Sequence, residues 1–299
     1  LTGLAFMREF LFRGIKGTAD LERVAGVRCL GTIPLIPRRL TRKGNPAEAV
    51  VDQPRSRFAD AIRSLRGSLP HAAGGQMPRS LLITSALPDE GKSTLSVALG
   101  RSLVNSGYRV LLVDADLRCP SVASTLGDRS PEGWLNDILE AGDSDAWPVR
   151  TDPHSRLSYL ASRETDAAPQ DLLGSTEMRA VLARAAREFD IVLVDAPPVI
   201  AVSDALILSR MVEATLLVAC WRRTPKDALA LTMSQLAHAG ARVVGAALNR
   251  VDVKRGVFAS GDPEAFRRHT DRYYAGTPKP RRRLGSRLRS EPHGWQEAA

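Results

Sequence analysis

Cysteine is scarce. Three occur in 299 residues (Cys29, Cys119 and Cys220), far apart and none in a C-x-x-C pair. That argues against a zinc cluster and against a disulfide framework, and for a reducing compartment. The five histidines are scattered as well, so no metal-ligand spacing emerges. Long apolar runs are also missing: no stretch reaches the roughly 20 residues that a bilayer-spanning helix needs. What is present is ordinary for a soluble globular chain, 43% hydrophobic and 25% charged, and long enough for one large domain or two small ones. The net charge of +9 is uneven. Residues 254–299 hold eleven Lys/Arg against five Asp/Glu, so 11 − 5 = +6 of it sits there. Such a tail either stays solvated or touches acidic lipid or nucleic acid. The sequence opens on Leu1, and LTGLAFMREFLF (Leu1–Phe12) is apolar and then amphipathic. It reads either as an ordinary amphipathic helix or as the cytoplasmic exit of a membrane helix lying upstream.

Residues 1–37 form a small apolar-rich module ending in LGTIPLIP, whose Gly and Pro mark turns. Residues 38–56 are rich in Arg, Pro and polar groups and read as a linker. Phe58, Ile62, Leu65 and Leu69 fall on one helical stripe, which PHAAGGQMPR at 70–79 should break. From Arg79 to about Arg250, short apolar runs alternate with helical segments: Ser80–Thr84, Arg109–Val113, Leu157–Leu160, Ile191–Val194, Ala214–Ala219 and Val243–Leu248. Continuous apolar strands are buried on both faces, which means a parallel sheet. The fold class is therefore α/β: a P-loop NTPase, doubly wound and mostly parallel, with flanking helices. Four segments follow: 1–37 an apolar-rich module, 38–79 a linker and helix, 80–253 the α/β domain, and 254–299 a basic tail expected to be disordered at least from Pro278.

Positions 86–93 fit [AG]-x-x-x-x-G-K-[ST] between a strand and a helix. Backbone N–H groups of such a loop face phosphate oxygens, and the helix adds its positive N-terminal end. Nucleotide contacts are therefore expected from Pro88, Asp89, Glu90, Gly91, Lys92, Ser93 and Thr94, with Lys92 neutralising the β- and γ-phosphates and Ser93 offering its hydroxyl to Mg²⁺. The next strand ends in VDADLRCP, which puts Asp114 and Asp116 on one side of an extended segment. Paired carboxylates suit a hydrated Mg²⁺ or take a proton from an attacking hydroxyl, although Asp is also common in turns and helix caps. Asp195, in VDAPPV, is a Walker-B-like carboxylate for a metal-bound water. Asn249, past the strand Val243–Leu248, reads either as a contact to the base or as a turn residue.

These motifs together resemble the cytoplasmic domain of the bacterial tyrosine kinases (BY-kinases), polysaccharide co-polymerases that regulate exopolysaccharide or capsule export. The resemblance runs to about Gly276. ALPDEGKST looks like the family's Walker A, VLLVDADLRCP with Arg118 and Pro120 like its Walker A′, and IVLVDAPPV like its Walker B. The SDA at Ser203–Ala205, APQDLLGSTEM, and LERVAGVRCLGTIP after a second membrane helix also fit. The family's E-x-x-R-x-x-R docking helix appears here as Asp60-x-x-Arg63-x-x-Arg66, with an acidic arm one methylene shorter.

The resemblance implies ATP and Mg²⁺ as cofactors and autophosphorylation in trans within a ring-like homo-oligomer. It assigns Lys92 and Mg²⁺ to the transferring phosphoryl group, Asp114 to the tyrosine proton, and Ser93, Asp116 and Asp195 to metal and water. It further implies an inner-membrane location on the cytoplasmic side through an upstream segment. The implied partners are polysaccharide polymerisation and export proteins and a tyrosine phosphatase, and no nucleic acid is expected. The family usually ends in a tyrosine-rich cluster, whereas this sequence has four tyrosines in all and only Tyr273 and Tyr274 in its tail. Two other functions stay open: a non-catalytic nucleotide-binding assembly module of the export machine, and a MinD/ParA-like ATPase switch. The switch proteins carry a lysine four residues before the P-loop glycine; Leu87 stands there instead.

Overall fold

The computed structural model describes residues 14–36, 45–128, 134–142, 147–165 and 167–252. Tyr273, Tyr274, Leu1–Phe12 and the basic tail lie outside the described residues.

Eight strands form one sheet: β1 (Cys29–Pro34), β2 (Ser80–Ser85), β3 (Val110–Asp114), β4 (Arg150–Thr151), β5 (Ser158–Leu160), β6 (Ile191–Asp195), β7 (Ala214–Cys220) and β8 (Val243–Val251). Their order is β1-β8-β7-β2-β6-β3-β5-β4, and every pairing is parallel except the short β4–β5 edge. The doubly wound, mostly parallel sheet expected from the sequence is borne out. Every residue of β3, β6 and β7 is buried. Alternate side chains enter opposite cores: Leu82, Leu111 and Val113 face one, and Leu81, Ile83 and Leu112 the other.

The segments upstream of residue 79 do not stand apart. β1 pairs with β8, and helix Arg57–Ala72 lays Phe58, Ile62, Leu65 and Leu69 into the same core as Leu81 and Ile83. LGTIP, expected as turns, is an edge strand, with Leu30 and Ile33 buried and Pro34 closing it. A sheet edge tolerates proline because no ladder N–H is needed there. The helix also passes Pro70 and ends only at Ala72, before Gly74 and Gly75 adopt positive φ. A proline in the last turn forfeits one hydrogen bond but keeps a helical φ.

The strand order positions the site. β6 lies between β2 and β3, so the loops leaving the carboxyl ends of β2, β3 and β6 emerge side by side. This is the crevice where open α/β sheets bind ligands.

Candidate active site

The loop after β2 is held from both sides. Gly91 heads helix Lys92–Val104 at φ +88°, and a Cβ there would sit 2.4 Å from Asn249 Nδ2. Glycine is thus required by backbone angle and by space. Asn249 Nδ2 donates to the Glu90 carbonyl at 2.9 Å, and its Oδ1 accepts the Arg250 N–H at 2.8 Å. Arg250 Nη1 donates to the Asp89 carbonyl at 2.6 Å. The end of β8 therefore braces the P-loop. Asn249 holds the loop through Nδ2 and also lines the neighbouring chamber of about 460 Å³.

Glu90 turns inward. Its Oε2 accepts the Ala86 and Leu87 N–H groups at 3.0 and 3.1 Å, and its Oε1 takes the Thr224 hydroxyl. Burial pushes this carboxyl above its ordinary pKa, against the lowering effect of the Thr224, Leu87 and Ala86 hydrogen bonds. The Glu90 side chain organises the cradle from within. Pro88, Asp89, Gly91, Lys92, Ser93 and Thr94 line an open chamber of about 480 Å³.

Lys92 Nζ lies 2.7 Å from Asp116 Oδ2 and 4.0 Å from Asp195 Oδ2. Burial opposes its charge, but Asp195 and Asp116 more than offset it and raise the pKa. Ser96, one helical turn on, donates to Asp195 Oδ1 at 2.9 Å. Asp114 and Asp195 are register partners on β3 and β6, both completely buried. Burial and then the Asp195 charge push Asp114 up to about 8. Asp195 is raised by burial, against the pull of Lys92, Ser93 and Ser96.

The two carboxylates of VDADLRCP have parted ways. Asp114 Oδ2 accepts the Ser121 and Val122 N–H groups at 3.0 and 2.9 Å, capping helix Val122–Leu126. It does not line the chamber, whereas Asp116 does. Reach decides which group meets an incoming hydroxyl, and pKa comes second. Of the two carboxylates, Asp116 is the one that faces the chamber and Lys92.

For Mg²⁺ the test is the state of the oxygens. Asp195 Oδ2 is buried, accepts no hydrogen bond and lies 4.0 Å from Lys92 Nζ. Among the described residues no group of three or more His, Cys, Asp or Glu is arranged to hold a metal by itself. The Ser93 hydroxyl, a carboxylate oxygen that accepts no hydrogen bond, and an open chamber fit a Mg²⁺ that keeps most of its waters.

Other sequence candidates fall away from this chamber. Arg63 pairs with Asp60 on its own helix and donates to the Pro54 carbonyl at 2.7 Å. Arg66 donates to the Ser102 carbonyl at 2.7 Å, bonding the helix to the end of the P-loop helix. The sequence reading missed Thr224 and Arg250 as loop-holding groups and Ser96 as a partner of Asp195. It also left Arg118 and the SDA motif unconnected: Arg118 Nε donates to Asp204 Oδ2 at 3.0 Å. Only the signal that both belonged to motifs was available.

A P-loop at the switch point of a parallel sheet, faced by the acidic carboxyl ends of β6 and β3, defines a nucleotide-binding domain. Residues 81–258 match the family described as the CobQ/CobB/MinD/ParA nucleotide binding domain. Within that class, the chain belongs to the bacterial tyrosine-protein kinase family. It is 31% identical to the putative tyrosine-protein kinase EpsB of Ralstonia solanacearum over 287 residues, 92% of this chain and 38% of that one. It is 32% identical over 197 residues to the tyrosine-protein kinase YwqD of Bacillus subtilis, covering 66% of this chain and 83% of the relative. The solved kinase domain of the Escherichia coli tyrosine kinase ETK superposes with a TM-score of 0.70 at 31% identity, covering 81% and 97% of the two chains. The family resemblance drawn from the motifs is borne out. The chain spans about 38% of the length of EpsB.

Proposed function

We propose that this chain is the kinase domain of an ATP-dependent protein-tyrosine autokinase acting in exopolysaccharide or capsular polysaccharide polymerisation and export. The observation that carries the reading is the convergence of Lys92, Asp116 and Asp195 in one crevice beside the Gly91 cradle. The loop N–H groups and Lys92 hold the phosphates. The phenol oxygen of a tyrosine attacks the γ-phosphorus, the bond to the β–γ bridging oxygen breaks, ADP leaves, and the phenol proton passes to Asp116. Ser93 and Asp195 would hold Mg²⁺, which supplies charge neutralisation on the β- and γ-phosphates. Such transfer depends on positioning and electrostatics. A second chamber of about 460 Å³ shares Gly91, Thr94 and Arg250 with the first and adds Pro34, Leu35 and Phe58, a wall suited to the nucleoside.

The acceptor is the tail pair Tyr273–Tyr274 of a neighbouring copy in a ring, docked through Asp60, Arg63 and Arg66. The whole protein sits in the inner membrane through an upstream segment, among polysaccharide export proteins and opposed by a tyrosine phosphatase. Among the described residues no helix is long and apolar enough to cross a membrane. Intact-mass and peptide mass spectrometry after incubation with ATP and Mg²⁺ tests the reading. Wild type should gain phosphate at Tyr273 or Tyr274 and Lys92→Ala should not.

The tyrosine-poor tail favours a second reading, a nucleotide-gated assembly module. There, ATP binds without phosphate reaching either tyrosine, and the Tyr273→Phe/Tyr274→Phe variant leaves polymer length unchanged while Lys92→Ala alters it. A MinD/ParA-like switch has less support, because Leu87 offers no second cation to the phosphates.

A further inference from the structure

The geometry points to Arg118 as a second cationic contact to the transferring phosphoryl group, held in place by Asp204. This inference deepens the phosphoryl-transfer reading above and rests on it.

Arg118 leaves the β3 loop four residues after Asp114 and lines the phosphate chamber beside Lys92, Ser93 and Asp116. Its Nε and Nη2 donate to Asp204 Oδ2 and Oδ1 at 3.0 and 3.4 Å. The Asp204 side chain is completely buried, whereas Arg118 keeps 37% of its side chain exposed. A buried carboxylate is expensive unless it is paired and hydrogen-bonded. Here it sits in the first turn of helix Asp204–Ser209, just past the β6 loop whose Pro197, Pro198 and Val202 line the same chamber. The pair therefore clamps the β3 loop to the β6 loop and fixes the guanidinium at the chamber wall.

The remaining terminal nitrogen of Arg118, Nη1, has no protein hydrogen-bond partner among the described residues. Of the other chamber cations, Lys92 pairs with Asp116 and Arg250 donates to the Asp89 carbonyl. The position where MinD- and ParA-type proteins carry a further lysine is Leu87. The transferring group spreads its charge over three equatorial oxygens, more than one ammonium can meet, and a pre-positioned guanidinium matches planar oxygens. Asp204 is a positioning residue; Arg118 is the group that touches the phosphoryl oxygens.

The test uses the full chain with Mg²⁺ and two probes, ADP alone and ADP with aluminium fluoride, whose planar anion mimics the phosphoryl group in flight. Arg118→Ala strands the buried Asp204 carboxylate, so the discriminating variant is Arg118→Gln/Asp204→Asn, checked by thermal unfolding. The expected result is ADP affinity within about threefold of wild type and a loss of about 10²-fold or more in the extra affinity that aluminium fluoride confers, the size expected for one preorganised transition-state contact. An undiminished fluoride enhancement in the double variant overturns the inference, as does an equal fall for both probes or a wild type that shows no enhancement. A wild type that fails to bind ADP brings down the proposed function itself, and this inference with it.

Discussion

Lys92 Nζ sits 2.7 Å from Asp116 Oδ2, so the P-loop cation is paired with a carboxylate that lines the chamber. On the proposed mechanism, phosphate competes for that lysine and frees Asp116 for the acceptor hydroxyl. Asp116→Asn should therefore lower phosphoryl transfer by about 10²–10⁴-fold, the usual contribution of a general base. ADP affinity should hold or rise, because Lys92 loses a competitor. Single-turnover phosphorylation and calorimetric titration measure the two effects, and a parallel loss of both would assign Asp116 to nucleotide binding instead.

Gly91→Ala should remove nucleotide binding and cost about 1–3 kcal/mol of stability, the usual strain of a non-glycine held at positive φ. The added Cβ would meet Asn249 Nδ2 at 2.4 Å, so the brace to β8 breaks as well. Urea unfolding together with ADP titration checks this. A variant that still bound ADP normally would show that the loop tolerates another backbone path.

Glu90 links pH to stability. Its folded pKa lies above the ordinary value of 4.5 because it is buried. Folding therefore favours the protonated form. That contribution is fully present below the unfolded pKa and is lost as pH rises through the folded one. Glu90→Gln, neutral throughout, should gain stability relative to wild type between pH 5 and pH 8. Urea midpoints of both proteins at the two pH values decide it, and a difference that stays flat or shrinks contradicts the assignment.

Arg66 and Arg63 should behave differently. Arg66→Ala breaks hydrogen bonds to Ser102 O and Oγ and should lower monomer stability by about 1.5–3 kcal/mol, the range for bonds to a charged group. Arg63→Ala removes a half-exposed pair with Asp60, worth no more than about 1 kcal/mol. If the helix also docks copies, Arg63→Ala weakens assembly in sedimentation while the unfolding midpoint stays put. Equal midpoints for both variants would contradict the packing role of Arg66.

Six of the seven β-strands from residue 80 onward were legible because continuous apolar runs such as IVLV and ATLLVA have one stable home, a strand covered on both faces; the two-residue β4, Arg150–Thr151, was not. The P-loop was legible because Gly91 and Lys92 stand between an apolar strand and a helix, and a loop wrapped around phosphate needs both residues there. The φ of +88° at Gly91 is one that glycine alone adopts freely. β1 was not legible. CLGTIP carries the local chemistry of turns, and it becomes a strand only because β8 offers an unpaired edge about 215 residues away. APQDLLGSTEM, noted in the sequence only as a family stretch, carries helix Pro169–Gly174 and the start of helix Thr176–Glu188, which Ser175 caps.

By itself the sequence determined the class of sheet, the phosphate loop, and which acidic residues stand at strand ends, since these follow from local periodicity and short motifs. Tertiary structure alone decided how those residues divide their work. Asp114 and Asp116 look equivalent in VDAD, yet one caps a helix in a fully buried place and the other faces Lys92. Asn249 became a brace, Glu90 an internal support, and Arg118 the partner of Asp204. Each outcome depends on which backbone N–H or buried charge lies opposite, and that is fixed by the strand order, with β6 seated between β2 and β3.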